Sequence, residues 1–425
     1  MSPERASQIA RSFDLHALPV DFLANPYPVY DLLRSTEPVK RMPDGSIFLT
    51  RHADLVRVYK DAQTFSSDKK AEFTPKYGDS PLLAHHTTSL VFNDPPLHSR
   101  VRRLIMGALT RRAIDELEGG LCTLVDGLLN NIEAKGGGCL IEDFASAIPI
   151  EVIGNLLAIP HAERTPLRAW SLAILGALEP ALSPAQEAAG NRAVAEFCDY
   201  LRTLIAQRRL HPGNPEHDVL TRLIQGESAT GSNHTSAEPL SEQELLHNCI
   251  FILNAGHETT TNLIGNALVA LHKHADKKSQ LLQLSEQYKT ISLGHSEFFS
   301  KIVDEFLRFE SSNQLGNRRA VQAFDINGQT FPAGTLITLC IGAANRDPDV
   351  FEQPNELLWT RQTNKHLAFG YGIHQCAGLS LARLEGRIAI SHFLARFPNY
   401  RLSAAPTRGG RARFRGFLAA PFVVD

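Results

Sequence analysis

The residue with the most pointed chemistry is Cys376, set in Phe369-Gly370-Tyr371-Gly372-Ile373-His374-Gln375-Cys376-Ala377-Gly378. Three glycines surround it, and Leu379, Leu381 and Leu384 follow with helical spacing. Glycine tolerates backbone conformations that other residues resist and lets a flat ligand approach the main chain. A thiolate just before a helix is favoured by the positive end of the helix dipole. Tight turn, exposed sulfur and helix start together present Cys376 to an electrophile, for which a metal is the candidate. A second chemical run, Gly256-His257-Glu258-Thr259-Thr260-Thr261-Asn262, interrupts an apolar stretch. Burying such groups unpaired costs ~1–3 kcal/mol each. Threonine hydroxyls can bond back to the preceding turn, but Glu258 cannot, so chemistry explains the interruption better than packing does. A third set is His98 and Arg102, four residues apart and hence on one helix face, with Arg100 and Arg103 beside them. Two cationic donors on one face suit an anionic carboxylate, although a basic solvent-facing helix explains them equally well.

Helices must position most of these residues. Ser241-Glu242-Gln243-Glu244 reads as a capping box opening a helix from Leu245 to Leu271, apolar on most faces and free of proline. At ~27 residues it would run roughly 40 Å through the middle of the protein. Asp94-Pro95-Pro96 is a helix entry carrying His98 and Arg102, and Asn25-Pro26-Tyr27-Pro28 is another. Residues 113–225 read as helices broken at Gly136-Gly137-Gly138, Asp143-Phe144 and Pro160, with an apolar segment, 173–188, interrupted by Pro180 and Pro184. Residues 71–92, punctuated by Pro75, Gly78, Asp79 and Pro81, read as a long loop holding a solvated His85-His86 pair. Residues 226–239 read as a polar surface loop. Strand signals are short: Asp44-Gly45 and Asn327-Gly328 as hairpin turns, then a strand over 335–341. The residues by themselves give a large helical domain with minor sheets.

Composition limits the partners. The 425 residues are 43% hydrophobic and 21% charged, as in a globular protein with a substantial core, and a formal net charge of −2 argues against a general nucleic-acid binder. Six scattered cysteines (Cys122, Cys139, Cys198, Cys249, Cys340, Cys376) show no CxxC spacing, so neither a zinc site nor a disulfide framework is expected. The N-terminus lacks an apolar signal region, and no segment approaches ~18 consecutive apolar residues. The expected setting is the cytoplasm, with no membrane contact.

The cysteine loop resembles the haem-binding loop of the cytochromes P-450, Phe-Gly-x-Gly-x-His-x-Cys-x-Gly, with every fixed position filled by Phe369, Gly370, Gly372, His374, Cys376 and Gly378. Ala255, Gly256, Glu258, Thr259 and Thr260 match that family's distal-helix signature, and Asp94-Pro95-Pro96-x-His98-x-x-x-Arg102 matches its propionate-binding helix. Glu305-x-x-Arg308 with Arg361 matches its structural clamp, and Arg318 falls at its second propionate arginine, with Arg319 as adjacent rival. The resemblance runs from about Asn25 to Val424 and is closest to the soluble bacterial type. It implies one mainly α domain with small β-sheets over 1–425, with 1–24 a loosely ordered extension and 173–188 a mobile lid.

The resemblance also implies haem b ligated by Cys376, with His98, Arg102, Ala255, Arg318, Phe369, Gly370, His374 and Gly378 against the cofactor. Glu258 and Thr259 would relay protons, with Gly256 leaving space for oxygen. The implied reaction inserts one atom of O2 into a C–H bond. Its electrons would come from NAD(P)H through a separate reductase and ferredoxin, docking in part on Arg102, Arg103, Arg111 and Arg112 of a monomer. Phe251, Asn254, Ala255, Asn313, Gln314 and Phe417 are expected to meet the substrate. Where the family usually has proline and an apolar residue, this chain reads Ser311-Ser312-Asn313-Gln314. Those amides imply a small apolar substrate with a polar handle, such as a terpenoid, fatty acid or aromatic acid. A peroxide-driven haem-thiolate oxidase and a non-catalytic haem sensor or carrier remain the alternatives, both disfavoured by the acid–alcohol pair.

Overall fold

The computed structural model describes residues 3–226, 240–289 and 292–424. The polar stretch after Gly226 that reads as a surface loop lies outside them. Helices α1 (Pro3–Ser12) and α2 (Val20–Ala24) open the chain. The later residues of this segment pack onto the domain. Phe13 packs on Phe22 and Phe48 at 5.7 and 5.2 Å between ring centroids, and Ala10 and Leu15 are buried with Tyr30 and Leu33 of α3 (Tyr27–Thr36). The Asp44-Gly45 hairpin forms between β1 (Val39–Arg41) and β2 (Ile47–Leu49), followed by α4 (His52–Lys60) and β3 (Phe65–Ser66).

Residues 71–92 depart most from expectation, because they are helical: α5 (Lys70–Tyr77), α6 (Pro81–Thr88) and a 3-10 turn at Leu90–Phe92. The residues that read as loop punctuation act as helix boundaries. Gly78 ends α5, Ser80 accepts from the Leu83 N–H as a cap, and Pro81 takes the first position, where no donor is needed. His85 and His86 are accordingly buried, not solvated. Asp94 also differs from its expected role. Its carboxylate accepts from Ser66 Oγ and Ser67 N instead of capping α7 (Leu97–Ala108).

The middle of the chain is helical: α8 (Arg111–Lys135), a short strand β4 (Gly137–Cys139), a π-helical turn at Leu140–Ala145, α9 (Ala147–Leu156), α10 (Leu167–Gly176), α11 (Pro184–Leu210) and α12 (Val219–Gln225). Helix α13 (Glu242–Lys273) starts on the predicted capping box, with both reciprocal Ser241–Glu244 bonds present. It is five residues longer than the sequence reading and is packed against α6, α9, α10, α11 and α17 (Leu379–Arg396). Between them run α14 (Ala275–Lys289), α15 (Ser292–Phe309), β5 (Leu315–Ala320), β6 (Phe324–Ile326), β7 (Gln329–Phe331), β8 (Leu336–Cys340) and α16 (Ile341–Ala344). Four short strands, β9 (Arg401–Leu402), β10 (Thr407–Arg408), β11 (Phe417–Ala419) and β12 (Pro421–Val423), end the chain.

The strands make a five-stranded sheet in the order β1-β2-β8-β5-β3, parallel only between β2 and β8, a three-stranded sheet β4-β12-β9, and two hairpins. The architecture is mainly α with small sheets, as expected. The clamp is complete and buried. Arg308 Nε and Nη2 each donate to a Glu305 oxygen at 2.8 Å, and Arg361 Nε adds a bond at 3.0 Å. Arg308 also donates to the carbonyls of Asn345, Pro354 and Glu356, tying α15 to the segment that leads into the cysteine loop.

Candidate active site

The cysteine loop is held by its own main chain. Cys376 N donates to Phe369 O at 2.8 Å, Gly370 N to Leu367 O at 2.8 Å and Gln375 N to Gly372 O at 3.0 Å. Gly372 has φ +72°, and a Cβ there would lie 2.3 Å from Tyr59 O, so only glycine closes this turn against α4. Phe369 packs under Arg383, whose guanidinium is 5.0 Å from the ring centre and is fixed by Asp304 at 2.8 Å. Cys376 is half-buried three residues before α17. Crowding raises its thiol pKa, while the Gly378 N–H, Arg102 and Arg383 pull it down, which is the direction thiolate formation needs. A Cβ at Gly378 would meet nothing within 4 Å, so the approach beside the sulfur is open.

Around this loop the fold gathers two imidazoles and two guanidinium groups, and among the described residues no carboxylate pairs with any of the four. His98 and His374 lie with rings 4.1 Å apart, and neither His98 nitrogen nor His374 Nε2 has a hydrogen-bond partner among the described residues. Arg102 and Arg318 face them closely enough to depress the His374 pKa, after burial itself. Arg318 stacks 5.1 Å from the Tyr59 ring centre and spends one bond, at 2.7 Å, on Asn317 O. Strand alternation separates it from Arg319, which lies on the other face of β5 near Gly334. Orphaned donors around a thiol match an iron porphyrin, which presents a soft metal and two carboxylates.

Helix α13 carries the second chemical run and packs against α17, which follows the cysteine loop. In the mostly buried middle of this helix, Ala255 is exposed and Phe251 and Thr259 are half-exposed, an open stripe at i, i+4, i+8. Thr259 Oγ1 donates to Ala255 O at 2.7 Å. Gly256 does not open space for oxygen. A Cβ there would lie 2.4 Å from Ile153 Cδ1, so this glycine lets α9 approach α13. Glu258 accepts from Arg411 Nη1 at 2.6 Å through Oε1, while its Oε2 is buried without a partner. Burial raises its pKa to about 7, against the lowering effect of Arg411. A cavity of about 20 Å³ beside Glu258, His257 and Asn262 has room for roughly one water.

The residues expected at the substrate are split. Phe251 lies on the open stripe, and Asn254 and Asn313 each carry a buried, unpartnered Oδ1. Gln314 points elsewhere, because adjacent residues of an extended segment face opposite sides. Its Nε2 donates to Ser311 O at 2.7 Å and Tyr27 Oη at 3.4 Å, fastening the chain's N-terminal part. Phe417 lines the small cavity beside Glu258, under Arg408, whereas Phe414 forms a β-bridge with Asn313. The sequence reading missed Arg411. Its signal was the dense run Arg408, Arg411, Arg413, Arg415, too basic for a turn unless buried acceptors await it. Arg408 and Arg415 in fact pair with Glu310, and Arg413 holds the Leu178 and Leu315 carbonyls.

The chain as a whole is similar to known proteins. The family model "Cytochrome P450" matches residues 173–406. The chain is similar to the biotin biosynthesis cytochrome P450 of Bacillus subtilis (strain 168), 33% identical over 90% of this chain and 92% of that one. It is also similar to the vitamin D(3) 25-hydroxylase of Pseudonocardia autotrophica, 34% identical over 90% and 89%. Among solved structures, P450BioI in complex with an acyl carrier protein ligated to hexadec-9Z-enoic acid aligns with TM-score 0.84 at 31% identity, covering 95% of this chain and all of that one. Among the described residues no helix is long and apolar enough to cross a membrane. With a family model matched over more than half of the chain and bacterial relatives over nine-tenths of it, the chain belongs to the cytochrome P450 family, as a haem b monooxygenase of the bacterial type.

Proposed function

We propose that the enzyme inserts one oxygen atom into a C–H bond of a small, largely apolar substrate that carries a polar handle, with electrons from a separate ferredoxin and its NAD(P)H-dependent reductase. The observation that carries the handle is the two buried, unpartnered amide oxygens, Asn254 Oδ1 on α13 and Asn313 Oδ1 beside Phe414. Unbonded buried carbonyls are costly, and a substrate that satisfies them is held in one orientation. The relatives' printed names span biotin biosynthesis, vitamin D(3) hydroxylation and polyketide biosynthesis, compatible with mid-sized, mostly apolar molecules.

In this reading Cys376 holds the haem iron, and His98, Arg102, Arg318 and His374 receive its propionates. When bound, haem with a thiolate ligand supplies the electron-rich iron that reduces O2. The Gly378 N–H tempers the charge on Cys376 Sγ. Glu258, with a pKa near neutrality, takes protons from the water-sized cavity beside it and releases them toward Thr259. The Thr259 hydroxyl, anchored on Ala255 O, orders the last proton donor. Arg111 and Arg112 are exposed and could meet an acidic ferredoxin, although each also pairs along its helix with Asp115 or Glu116. Residues 1–425 act as one domain and, in this reading, as a monomer. Six cysteines, none disulfide-bonded, suit a reducing cytoplasm. Substrate-induced shifts of the haem spectrum test the reading. Apolar molecules bearing a handle should shift it more strongly than matched alkanes, and Asn313→Ala should erase the difference. Equal shifts by alkanes in wild type and variant would remove the handle from the account.

A further inference from the structure

The polar network above the open stripe specifies what kind of handle fits. Ser89 Oγ donates its single hydrogen to His85 O at 2.6 Å, so its 3.4 Å contact with His85 Nδ1 requires the imidazole to be the donor there. His85 then carries its proton on Nδ1, and Nε2 is an acceptor. Nε2 faces Asn254 Nδ2 at 3.5 Å, which fixes the amide's orientation with the NH2 toward the ring. Asn254 Oδ1 is left as a buried acceptor without a donor, and Asn313 Oδ1 is in the same condition. Neither amide oxygen can bind another acceptor.

The surroundings exclude charge of either sign. Near the His85, His86 and His247 cluster the cations are Lys76, Arg413 and Arg202. Lys76 Nζ donates to the carbonyls of Ala177 and Glu179, at 3.2 and 3.0 Å. Arg413 is spent on Leu178 O, Leu315 O and Asn317 Oδ1, and Arg202 on Asp199 and Glu242. None of these three is left to meet a carboxylate. The same cations oppose an ammonium ligand, as does the burial that holds all three imidazoles neutral. Resting on the proposed polar-handle function, we infer that the handle is a neutral hydrogen-bond donor, a hydroxyl received by Asn254 Oδ1, and not a carboxylate. Free fatty acids and aromatic acids are thereby disfavoured relative to alcohols of the same skeleton.

The test uses 4-phenylimidazole, whose azole binds haem iron whatever the natural substrate, bearing a hydroxymethyl, methoxymethyl or carboxylate arm at the meta or para position. Dissociation constants come from spectral titration of the haem-loaded protein. The hydroxymethyl arm should bind at least about tenfold more tightly than both others at one ring position, since a buried acceptor left unbonded costs about that much. Asn254→Leu and, as a milder change, Asn254→Ser should shrink the preference to less than about threefold. Tightest binding by the carboxylate arm overturns the hydroxyl inference and leaves the polar-handle reading standing. Equal binding by all three arms overturns the polar handle itself. Independently, the 15N shifts of His85 should report the Nδ1–H tautomer, and an Nε2–H tautomer would contradict the assignment of the free oxygen.

Discussion

Arg411 bridges the acid of α13 and helix α10: its Nη1 lies 2.6 Å from Glu258 Oε1 and its Nη2 donates to Leu172 O at 2.9 Å. One guanidinium therefore holds Glu258 in place and pulls its proton affinity down against the larger effect of burial. With its pKa raised to about 7 by burial, Glu258 is protonated below neutrality and ionised above it. Turnover limited by proton supply should fall as pH rises through about 7. Arg411→Leu removes the main lowering influence, so the descending limb should move to higher pH. Glu258→Gln should lower kcat by about 10²-fold and flatten the profile. Profiles of kcat against pH for the three proteins check this, and an unmoved limb in Arg411→Leu would remove Glu258 as the titrating group.

Glu385, in α17, has a different titration. It is buried with Oε2 unpartnered, and burial alone raises its pKa to about 8. A carboxyl raised above its unfolded value contributes stability at low pH and loses it as pH climbs from about 4.3 toward 8. Glu385→Gln should lack that loss, opening an advantage on the order of a few kcal/mol by pH 8 and none at pH 4. Urea unfolding midpoints at the two pH values measure it.

Removing Arg361 leaves part of the buried Glu305 charge uncompensated. Arg361→Ala should cost on the order of 2–4 kcal/mol in stability, with Arg361→Lys recovering little, since an ammonium cannot reproduce the two-pronged contact. Denaturation of the haem-loaded protein reads the loss.

Gly256→Ala should destabilise by about 1–3 kcal/mol through contact with Ile153. In the double variant with Ile153→Ala the loss should be smaller than the sum of the two single losses, and a double-mutant cycle in urea measures that coupling.

How far these features were legible depends on whether their cause was local. The α13 start could be read because Ser241 and Glu244 bond each other across one turn. The Asn327-Gly328 hairpin could be read because both residues take positive φ, as that turn type requires. The cysteine loop and clamp were legible as fixed spacings. Helices α5 and α6 were hidden because Gly78 and Pro81, read as loop residues, mark helix ends. Phe13 and Phe22 looked like tail residues because their partners, Tyr30 and Phe48, come later in the chain. The directions of Gln314 and Gly256 are set by tertiary neighbours, Tyr27 and Ile153, which no local pattern encodes.

The central claim is that Cys376 is the thiolate ligand of haem, and the absorption spectrum of the reduced, carbon-monoxide-bound protein tests it most directly. Thiolate donation moves the Soret band far to the red of its imidazole-ligated position. The account predicts that red-shifted band in the wild type and its displacement to the imidazole position in Cys376→His. A wild-type band already at the imidazole position in fresh protein, unchanged by Cys376→His, would contradict it.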